Sequence, residues 1–412
     1  MERNFSIKIL LVPDKIWGPD SGAVSARYTV KVLQDLNYHV GVYAYPRPEN
    51  EYDEERCEPF DFYPRHSFSS LNHFYGGKVK KEFEQVLSDF QPDYVFFAGV
   101  AINKPVPFFK ACFAKGIPTL LLFYINDYYC SRIYAALTNG PCFKCIRGNY
   151  LHALWNGCEV RRPKCFYLIK DIAVNLKLKP ALLRCYKAFG YSNDQLSMYE
   201  KYGISLGKCI KCPIFFDKES IEGIESEMGD YFVLCGQSRM EKGWHVISDI
   251  IATCPSVRFK FLFINNPSAE HNIKKFMLTK FVNTGQIEVI TDVCNHSELL
   301  SILAKSRGVL IPSYYPTTGE FVLLESLGLG KPVIVFDTGI HGEIIRSGEN
   351  GMMVEVGDIK AYSAAIRALS EDNDMYNTIT LGARRLFDEL TSVEGFRGAL
   401  QEAMSLTLNR KY

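Results

Sequence analysis

The sequence lacks any apolar stretch long enough to span a bilayer, for which about 18 to 20 residues are needed. Its first residues, MERNFSIKILLVPD, also lack the long apolar core and the small-residue cleavage site of a signal peptide. We therefore expect a cytoplasmic protein. Neither sign of charge dominates, since 47 Lys and Arg face 46 Asp and Glu. With 412 residues and 47% hydrophobic residues, the chain should form two domains, each with its own core.

The charge is balanced over the whole chain but not along it. Residues 1–212 contain 28 Lys and Arg against 20 Asp and Glu, whereas residues 213–412 contain 19 against 26. The stretch from Arg132 to Lys187 has 11 basic and 2 acidic residues, with aromatic residues between them. Such a surface suits anionic lipid head groups or an acidic acceptor, so peripheral contact with the inner face of the membrane is one interpretation. A solvated face without a partner is the other, and nucleic acid is not expected.

Cysteine is abundant rather than scarce, with 13 in the chain. Five of them fall within a short insertion, at Cys130, Cys142, Cys145, Cys158 and Cys165. The spacing of Cys142 and Cys145 lets two thiolates bind one tetrahedral zinc, and Cys130 and Cys158 would complete four ligands. A second pair, Cys209 and Cys212, offers another partnership. The alternative to a structural zinc is a set of reduced thiols that pack as small apolar side chains.

The first half of the chain opens with a strand at 6–13, a loop, a helix at 24–36 and a strand at 38–45, which is typical of a Rossmann-like domain. The polar residues 46–72 predict an irregular loop. A buried strand at 118–125 follows later and leads into Asn126 and Asp127. Ligands bind at the carboxyl ends of parallel strands, so both residues are candidates for a site.

The second half is organised around residues 312–334, PSYYPTTGEFVLLESLGLGKPVI. A strand at 308–312 should lead through a polar turn into a buried helix at 320–329. The start of that helix would suit a phosphate. Glu325 lies among apolar residues, where a carboxylate needs hydrogen bonds from a ribose diol or from a structural partner. Elsewhere in this half, strands alternate with helices, including one at 269–280, and predict a parallel sheet.

These residues resemble the donor-binding signature of glycosyltransferase family 4, the retaining GT-B enzymes. Ser313 and Glu325 match that signature, as do residues 330–334, but Thr317 stands where the family has its first Glu. Upstream, Lys242 and Gly243 match a second motif. Its arginine position is occupied by Gln237, and Arg239 follows two residues later. In the first half, Asn126 replaces the histidine of a frequent His-Asp pair, while Asp127 is retained.

The resemblance implies an α/β protein of the GT-B fold, with two Rossmann-like domains whose parallel sheets face a central cleft. We expect an acceptor-side domain at 1–212 with the cysteine-rich insertion near 130–165. A linker at 213–229 and a nucleotide-sugar domain at 230–390 would follow. The last segment, 391–412, is expected to be a helix that crosses back to the first domain.

The implied activity is retaining transfer of a sugar from a nucleotide-diphosphate sugar to a hydroxyl of a saccharide or lipid-linked acceptor, in polysaccharide or glycolipid synthesis. No cofactor is required. Catalytic roles are expected for Lys242, Glu320 and Asp127; donor contacts for Glu325, Arg239, Gln237, Gly319, Phe321 and Gly22; and an acceptor-side position for Asn126. Two alternatives are an inactive relative that binds a nucleotide sugar and a GT-B nucleotide-sugar epimerase or phosphorylase.

Overall fold

The computed structural model describes residues 7–18, 21–46, 60–67, 72–132, 134–137, 139–158, 163–214, 216–263, 269–291 and 296–408. The chain divides into two compact units. The first comprises Met1–Ala135, Phe143–Phe216 and Val393–Tyr412, and the second comprises Ala136–Cys142 and Asp217–Ser392. The segment Ala136–Cys142 belongs to the second unit, although it lies within the residues predicted for the first domain.

The first unit is built on a seven-stranded parallel sheet. Its strands are β1 (Lys8–Val12), β2 (His39–Ala44), β3 (Asp61–Pro64), β4 (Tyr94–Gly99), β5 (Thr119–Phe123), β8 (Lys187–Gly190) and β9 (Cys209–Lys211), in the spatial order β3-β2-β1-β4-β5-β8-β9. All neighbouring strands are parallel. The central strands are continuous apolar runs because both faces of a parallel sheet are covered by helices.

Among the residues that the structure describes, eight α-helices accompany this sheet. They are α1 (Ser21–Asp35), α2 (Asn72–Tyr75), α3 (Gly77–Phe90), α4 (Val106–Ala114), α5 (Leu151–Trp155), α6 (Lys164–Leu183), α7 (Asn193–Tyr202) and, from the end of the chain, α16 (Val393–Leu408). Aromatic packing joins α3 to α4, where the rings of Phe83 and Phe108 stack with centroids 4.2 Å apart. Ser192 caps α7 by accepting a hydrogen bond from the backbone N–H of Gln195.

The second unit contains a six-stranded parallel sheet and a short hairpin. The sheet has β10 (Tyr231–Cys235), β11 (Arg258–Leu262), β12 (Ile287–Ile290), β13 (Gly308–Ile311), β14 (Val333–Phe336) and β15 (Met352–Val354), in the order β12-β11-β10-β13-β14-β15. The hairpin pairs β6 (Ala136–Leu137) with β7 (Gly140–Pro141). The helices are α8 (Ile247–Ala252), α9 (Ala269–Lys275), α10 (Thr279–Asn283), α11 (His296–Ala304), α12 (Phe321–Gly328), α13 (Ile340–Ile344), α14 (Ile359–Glu371) and α15 (Asn373–Leu390).

Two local predictions are wrong. Residues 46–72, expected to be an irregular loop, contain the edge strand β3, and residues 47–59 and 68–71 of this stretch lie outside the described residues. The helix expected at 269–280 is two helices, α9 and α10, separated at Met277, whose backbone is left-handed with φ 55°. None of the helices in the described part of the chain combines the length and apolar composition that a bilayer crossing requires.

Candidate functional site

Two adjacent strands of the second sheet end beside each other and carry most of the predicted site. Strands β10 and β13 are parallel neighbours. The loop after β10 contains Gln237, Arg239 and Lys242, and the loop after β13 runs from Pro312 to Glu320. Because parallel strands end at the same edge of a sheet, the two loops meet there.

A glycine allows the two loops to approach closely. Gly243 has φ 78°, and a Cβ atom at this position would lie 2.0 Å from the carbonyl oxygen of Pro312. The backbone N–H of Tyr314 donates to the carbonyl of Glu241 at 2.8 Å. The short 3-10 helix Met240–Lys242 is therefore held against the end of β13. Lys242 is the last residue of this helix.

Lys242, Glu320 and Tyr315 form a connected polar cluster. The ammonium of Lys242 contacts the carboxylate of Glu320 and donates to the hydroxyl of Tyr315 at 3.0 Å. The Tyr315 hydroxyl lies 3.2 Å from Oε1 of Glu320 and can donate to it. The Glu320 side chain is 5% exposed and that of Lys242 is 27% exposed. Of the two, the lysine is therefore the group that an incoming anion can reach.

Two further side chains lie beside the carboxylate of Glu320. The Ser313 hydroxyl lies 3.0 Å and 3.2 Å from its two oxygens and can donate to either. His341, which is fully buried on α13, places Nε2 3.4 Å from Oε2 of Glu320, and its Nδ1 lies 3.2 Å from the carbonyl oxygen of Phe336. Donation from the Lys242 ammonium and from the hydroxyls of Ser313 and Tyr315 thus fixes the position of Glu320 at the start of α12.

This environment shifts the pKa values of Glu320 and Lys242 in opposite directions. Burial alone would raise the pKa of Glu320, but the Lys242 charge and the His341 side chain together hold that pKa well below its usual value. Burial alone would lower the pKa of Lys242, and Glu320 reverses this and holds the pKa above its usual value. Burial, followed by the nearby Glu320 charge, raises the pKa of Tyr315 to about 12. The cluster therefore contains an ammonium and a carboxylate at neutral pH.

The predicted turn before α12 is hydrogen-bonded to the first residue of α13, the helix that follows β14. Thr317 is buried, its hydroxyl lies 3.4 Å from the backbone N of Gly319, and its carbonyl accepts from the N–H of Ile340 at 2.9 Å. Gly319 has φ 144°, and Glu320 is the N-cap residue of α12, so Phe321 is the first helical residue. Gly319 and Phe321 thus lie at the helix start, beside the Lys242–Glu320 pair.

Glu325 is buried on α12 and has a partner that the sequence reasoning missed. Its Oε1 lies 2.7 Å from Nε2 of His296, the first residue of α11. The side chain of Glu325 is 6% exposed, whereas that of His296 is 40% exposed. A carboxylate this deeply buried requires such a hydrogen bond. His296 occupies one of the positions from which a ribose hydroxyl could donate.

The two substitutes for the missing arginine are both exposed. Gln237 and Arg239 lie on the solvent side of the loop after β10, and the backbone N–H of Arg239 donates to the carbonyl of Gln237 at 2.8 Å. The structure therefore brings Lys242, Glu320, Gly319 and Phe321 together, with Glu325 farther along the same helix. Sequence reasoning did not assign roles to Tyr315, His341 and His296, whose importance follows from tertiary contacts.

In the first unit, the predicted acceptor-side residues lie at the end of β5. Asp127 is 2% exposed, and its Oδ1 accepts from the backbone N–H of Ala101 at 3.1 Å. Asn126 is 1% exposed, with its Oδ1 3.5 Å from the Tyr128 hydroxyl. Asp127 thus holds the backbone at the carboxyl edge of the sheet, whereas Asn126 contacts a neighbouring side chain. Gly22 lies in the first turn of α1.

A second carboxylate holds the neighbouring loop after β4. Asp14, just after β1, accepts from the backbone N–H of Val100 and from the Lys104 ammonium, both at 2.6 Å. Lys104 is fully buried, and burial lowers its pKa, although Asp14 opposes this shift. Sequence reasoning also missed this ion pair. It joins the ends of β1 and β4 beside Asp127.

The cysteines of the insertion do not form the predicted metal site. Among the described residues, no group of three or more His, Cys, Asp and Glu side chains has an arrangement that could hold a metal ion. Cys145 is buried in the core of the first unit, with Cys130 and Cys158 packed against that core, and Cys142 belongs to the second unit. None of these four cysteines forms a disulfide. This arrangement agrees with the alternative of thiols packed as small apolar side chains.

Comparison with known proteins gives a family match for the second unit. Residues 216–386 match the family model of the glycosyl transferases group 1. The chain is 30% identical over 129 residues to D-inositol 3-phosphate glycosyltransferase 1 of Catenulispora acidiphila, which covers 31% of this chain and 31% of that relative. The sequence match thus spans less than a third of that relative.

Similarity to solved structures extends over nearly the whole chain. HepE of Anabaena in complex with UDP and glucose has a TM-score of 0.69, with 14% identity over 97% of this chain and 99% of that chain. Sucrose-phosphate synthase of Thermosynechococcus elongatus has a TM-score of 0.65, with 14% identity over 98% of both chains. These similarities confirm the predicted GT-B fold, with its two Rossmann-like domains.

Proposed function

We propose that this protein is a retaining glycosyltransferase, which transfers a sugar from a nucleotide-diphosphate sugar to a hydroxyl of a saccharide or lipid-linked acceptor. The proposed setting is the synthesis of a polysaccharide or glycolipid. One observation carries the proposal. In the region that matches the group 1 glycosyl transferases, Lys242, Glu320 and Tyr315 form a charged cluster at the carboxyl edge of a parallel sheet. The GT-B fold and the family match are the support for the reaction class.

The donor would bind with its diphosphate near Lys242 and the start of α12. The ammonium is the partly exposed member of its pair, and it can contact a phosphate oxygen while Glu320 holds it in place. The backbone N–H groups of Gly319 and Phe321 lie at the same helix start and supply further donors. Arg239 and Gln237, exposed on the neighbouring loop, are the candidates for the outer phosphate contacts.

Glu325 would hold the ribose, because two carboxylate oxygens match two hydroxyl donors. Its present partner, His296, contacts one of these oxygens. Binding of the ribose would then either displace this imidazole or share the carboxylate with it. Either arrangement keeps the buried charge of Glu325 hydrogen-bonded.

In the transfer step, the bond between the anomeric carbon and the departing phosphate oxygen breaks, and a bond to the acceptor oxygen forms. The acceptor proton passes to the departing phosphate, so no protein base is needed. Lys242 would stabilise the negative charge that develops on the nucleoside diphosphate. Asn126 and Asp127 would contribute to the acceptor side, Asp127 by holding the backbone at Ala101. Gly22, at the start of α1, remains a candidate donor contact.

The experiment is incubation of the full chain with labelled UDP- and GDP-sugars, first alone and then with candidate acceptors. The proposal predicts slow release of the nucleoside diphosphate without acceptor and faster release with one, and both should be lost in Lys242→Met. Binding of a nucleotide sugar without any turnover would instead indicate an inactive relative. Isomerisation of the sugar without an acceptor would indicate an epimerase. Glu288→Gln, which alters a Lys–Glu pair on the same sheet whose glutamate is 60% exposed, is the matched control.

A further inference from the structure

Helix α6 in the first unit has apolar residues on the side that faces solvent. Phe166 is 61% exposed, Ile169 is 64% exposed and Leu176 is 53% exposed. Their spacing, with Ala173 between them, places all of them along one stripe of the helix. The opposite side of α6 is buried, with Leu168, Val174, Leu178 and Leu182 in the core. The exposed stripe is therefore additional to the face that packs on the protein.

The short helix α5 adds a second group of exposed apolar residues in the same insertion. Leu151 is 64% exposed, Leu154 is 51% exposed and Trp155 is 84% exposed. Tyr150, the residue before α5, interacts with Asn175, which is buried on the side of α6 opposite the stripe, so α5 neighbours α6 on its packed side. Single exposed apolar side chains are common on protein surfaces, but three along one stripe of a helix mark an interaction surface, and α5 contributes three more nearby.

The charge around these residues is positive. Lys170 follows Phe166 by one helical turn and Lys177 follows Ala173 by one turn, so both flank the stripe. Lys144 and Arg147 are exposed just before α5. Between residues 132 and 187, Asp171 is the only acidic residue that the structure describes, and it is buried. A surface that combines exposed Trp, Phe, Ile and Leu with cations is complementary to an anionic lipid bilayer.

We propose that the outer stripe of α6, flanked by its lysines, docks on the anionic face of a lipid bilayer, with the exposed side chains of α5 as a second contact. The apolar side chains would enter the boundary between head groups and acyl chains, while the lysines and arginines contact lipid phosphates. This inference goes beyond the proposed function and does not depend on it. The sequence suggested a membrane contact somewhere within residues 132–187. The proposal assigns this contact to solvent-facing side chains of α5 and α6.

The test is sedimentation of the full chain with vesicles of phosphatidylcholine alone and of phosphatidylcholine with 30% phosphatidylglycerol. We expect binding to the anionic vesicles that weakens as salt is added, and much weaker binding to the neutral ones. Ile169→Ser with Leu176→Ser should reduce the binding about tenfold or more because the apolar stripe is lost. Lys170→Glu with Lys177→Glu should reduce it by a similar factor.

Matched variants in the second unit serve as controls. Leu381→Ser removes an apolar side chain that is also 64% exposed, and Lys305→Glu with Lys360→Glu makes the same change in net charge. Both controls should bind vesicles as the unaltered chain does. The proposal is overturned if the chain does not bind anionic vesicles, if the α6 variants bind like the controls, or if neutral vesicles bind equally well. It is also overturned if light scattering shows a dimer that the α6 variants dissociate, because a second copy would then cover the stripe.

Discussion

The Lys242 ammonium contacts the Glu320 carboxylate at the carboxyl edge of the second sheet, and the Tyr315 hydroxyl is within hydrogen-bonding distance of both. The pair joins two loops that are far apart in the sequence and adjacent in the sheet. An anionic ligand that reaches Lys242 must therefore share its charge with Glu320. This competition determines how each member of the pair should respond to substitution.

Replacement of Glu320 by Gln should strengthen binding of a nucleoside diphosphate and slow sugar transfer. The affinity should rise about threefold to tenfold because the carboxylate no longer competes with the diphosphate for Lys242. The turnover rate should fall at least about tenfold, since the ammonium loses the group that fixes its position. Calorimetric titration and steady-state kinetics measure the two effects. Weaker nucleotide binding in Glu320→Gln would contradict this account, and Glu288→Gln should leave the affinity unchanged.

The same pair should contribute to stability in a pH-dependent way. Because the folded-state pKa of Glu320 is lower than its usual value of 4.5, its stabilisation is fully present above that pH and is lost as the pH falls below it. At neutral pH, Glu320→Gln should lower the free energy of unfolding by about 1–3 kcal/mol because the Lys242 charge loses its partner. The loss should be smaller than for a fully buried ion pair, since Lys242 is partly exposed. Urea unfolding at pH 7, 5, 4 and 3 should show the difference from the unaltered chain shrinking below pH 4.5. A constant difference over this range would show that the ionised Glu320 carboxylate does not provide this stabilisation.

Substitution of Glu325 separates a ribose contact from a purely structural role. Glu325→Gln should weaken the binding of a nucleoside diphosphate about tenfold to a hundredfold, because hydrogen bonds to a charged group are lost. The binding of inorganic pyrophosphate, which has no ribose, should not change. His296→Gln removes the imidazole and keeps the carboxylate, so it should bind the nucleotide at least as well as the unaltered chain. If Glu325→Gln weakened both ligands equally, the ribose role would be wrong.

Asn126 and Asp127 should affect different measurements. Asn126→Ala should raise the acceptor KM and leave the affinity for the donor nucleotide unchanged within about twofold, since Asn126 belongs to the first unit. Asp127→Ala should lower the free energy of unfolding by about 1–3 kcal/mol because the buried N–H of Ala101 loses its acceptor. Asp127→Asn, which keeps that oxygen, is the control for stability. A loss of donor affinity in Asn126→Ala would indicate that Asn126 acts on the donor and not on the acceptor, contrary to the proposal.

The two parallel sheets could be predicted from the sequence because buried strands have a strong signature of continuous apolar residues. Strand β3 was missed because Asp61 and Pro64 are typical of a loop, yet an edge strand tolerates both. The break between α9 and α10 depends on the left-handed backbone of Met277, for which a non-glycine residue gives no signal.

The site could be predicted only in part for a related reason. Motif spacing indicated Lys242 and Glu325, and Glu320 was proposed although it lies three residues after the motif position that Thr317 occupies. The contact between Lys242 and Glu320 spans 78 positions of the chain. His296 is also remote from its partner Glu325 along the chain. Such pairs are set by the order of strands in the sheet and not by local pattern. The cysteine spacing also suggested a shared metal, but the local pattern does not show that Cys145 is buried in the apolar core, and no group of three metal-binding side chains forms among the described residues.

The most direct test of the central claim is calorimetric titration of the full chain with UDP and with GDP, in the unaltered protein and in Lys242→Met and Glu325→Gln. One of these nucleotides should bind with one site per chain. Each substitution should weaken that binding at least about tenfold, while Glu288→Gln leaves it unchanged. Binding that neither substitution weakens, or no binding of either nucleotide, would contradict the claim that this cluster holds a nucleoside diphosphate.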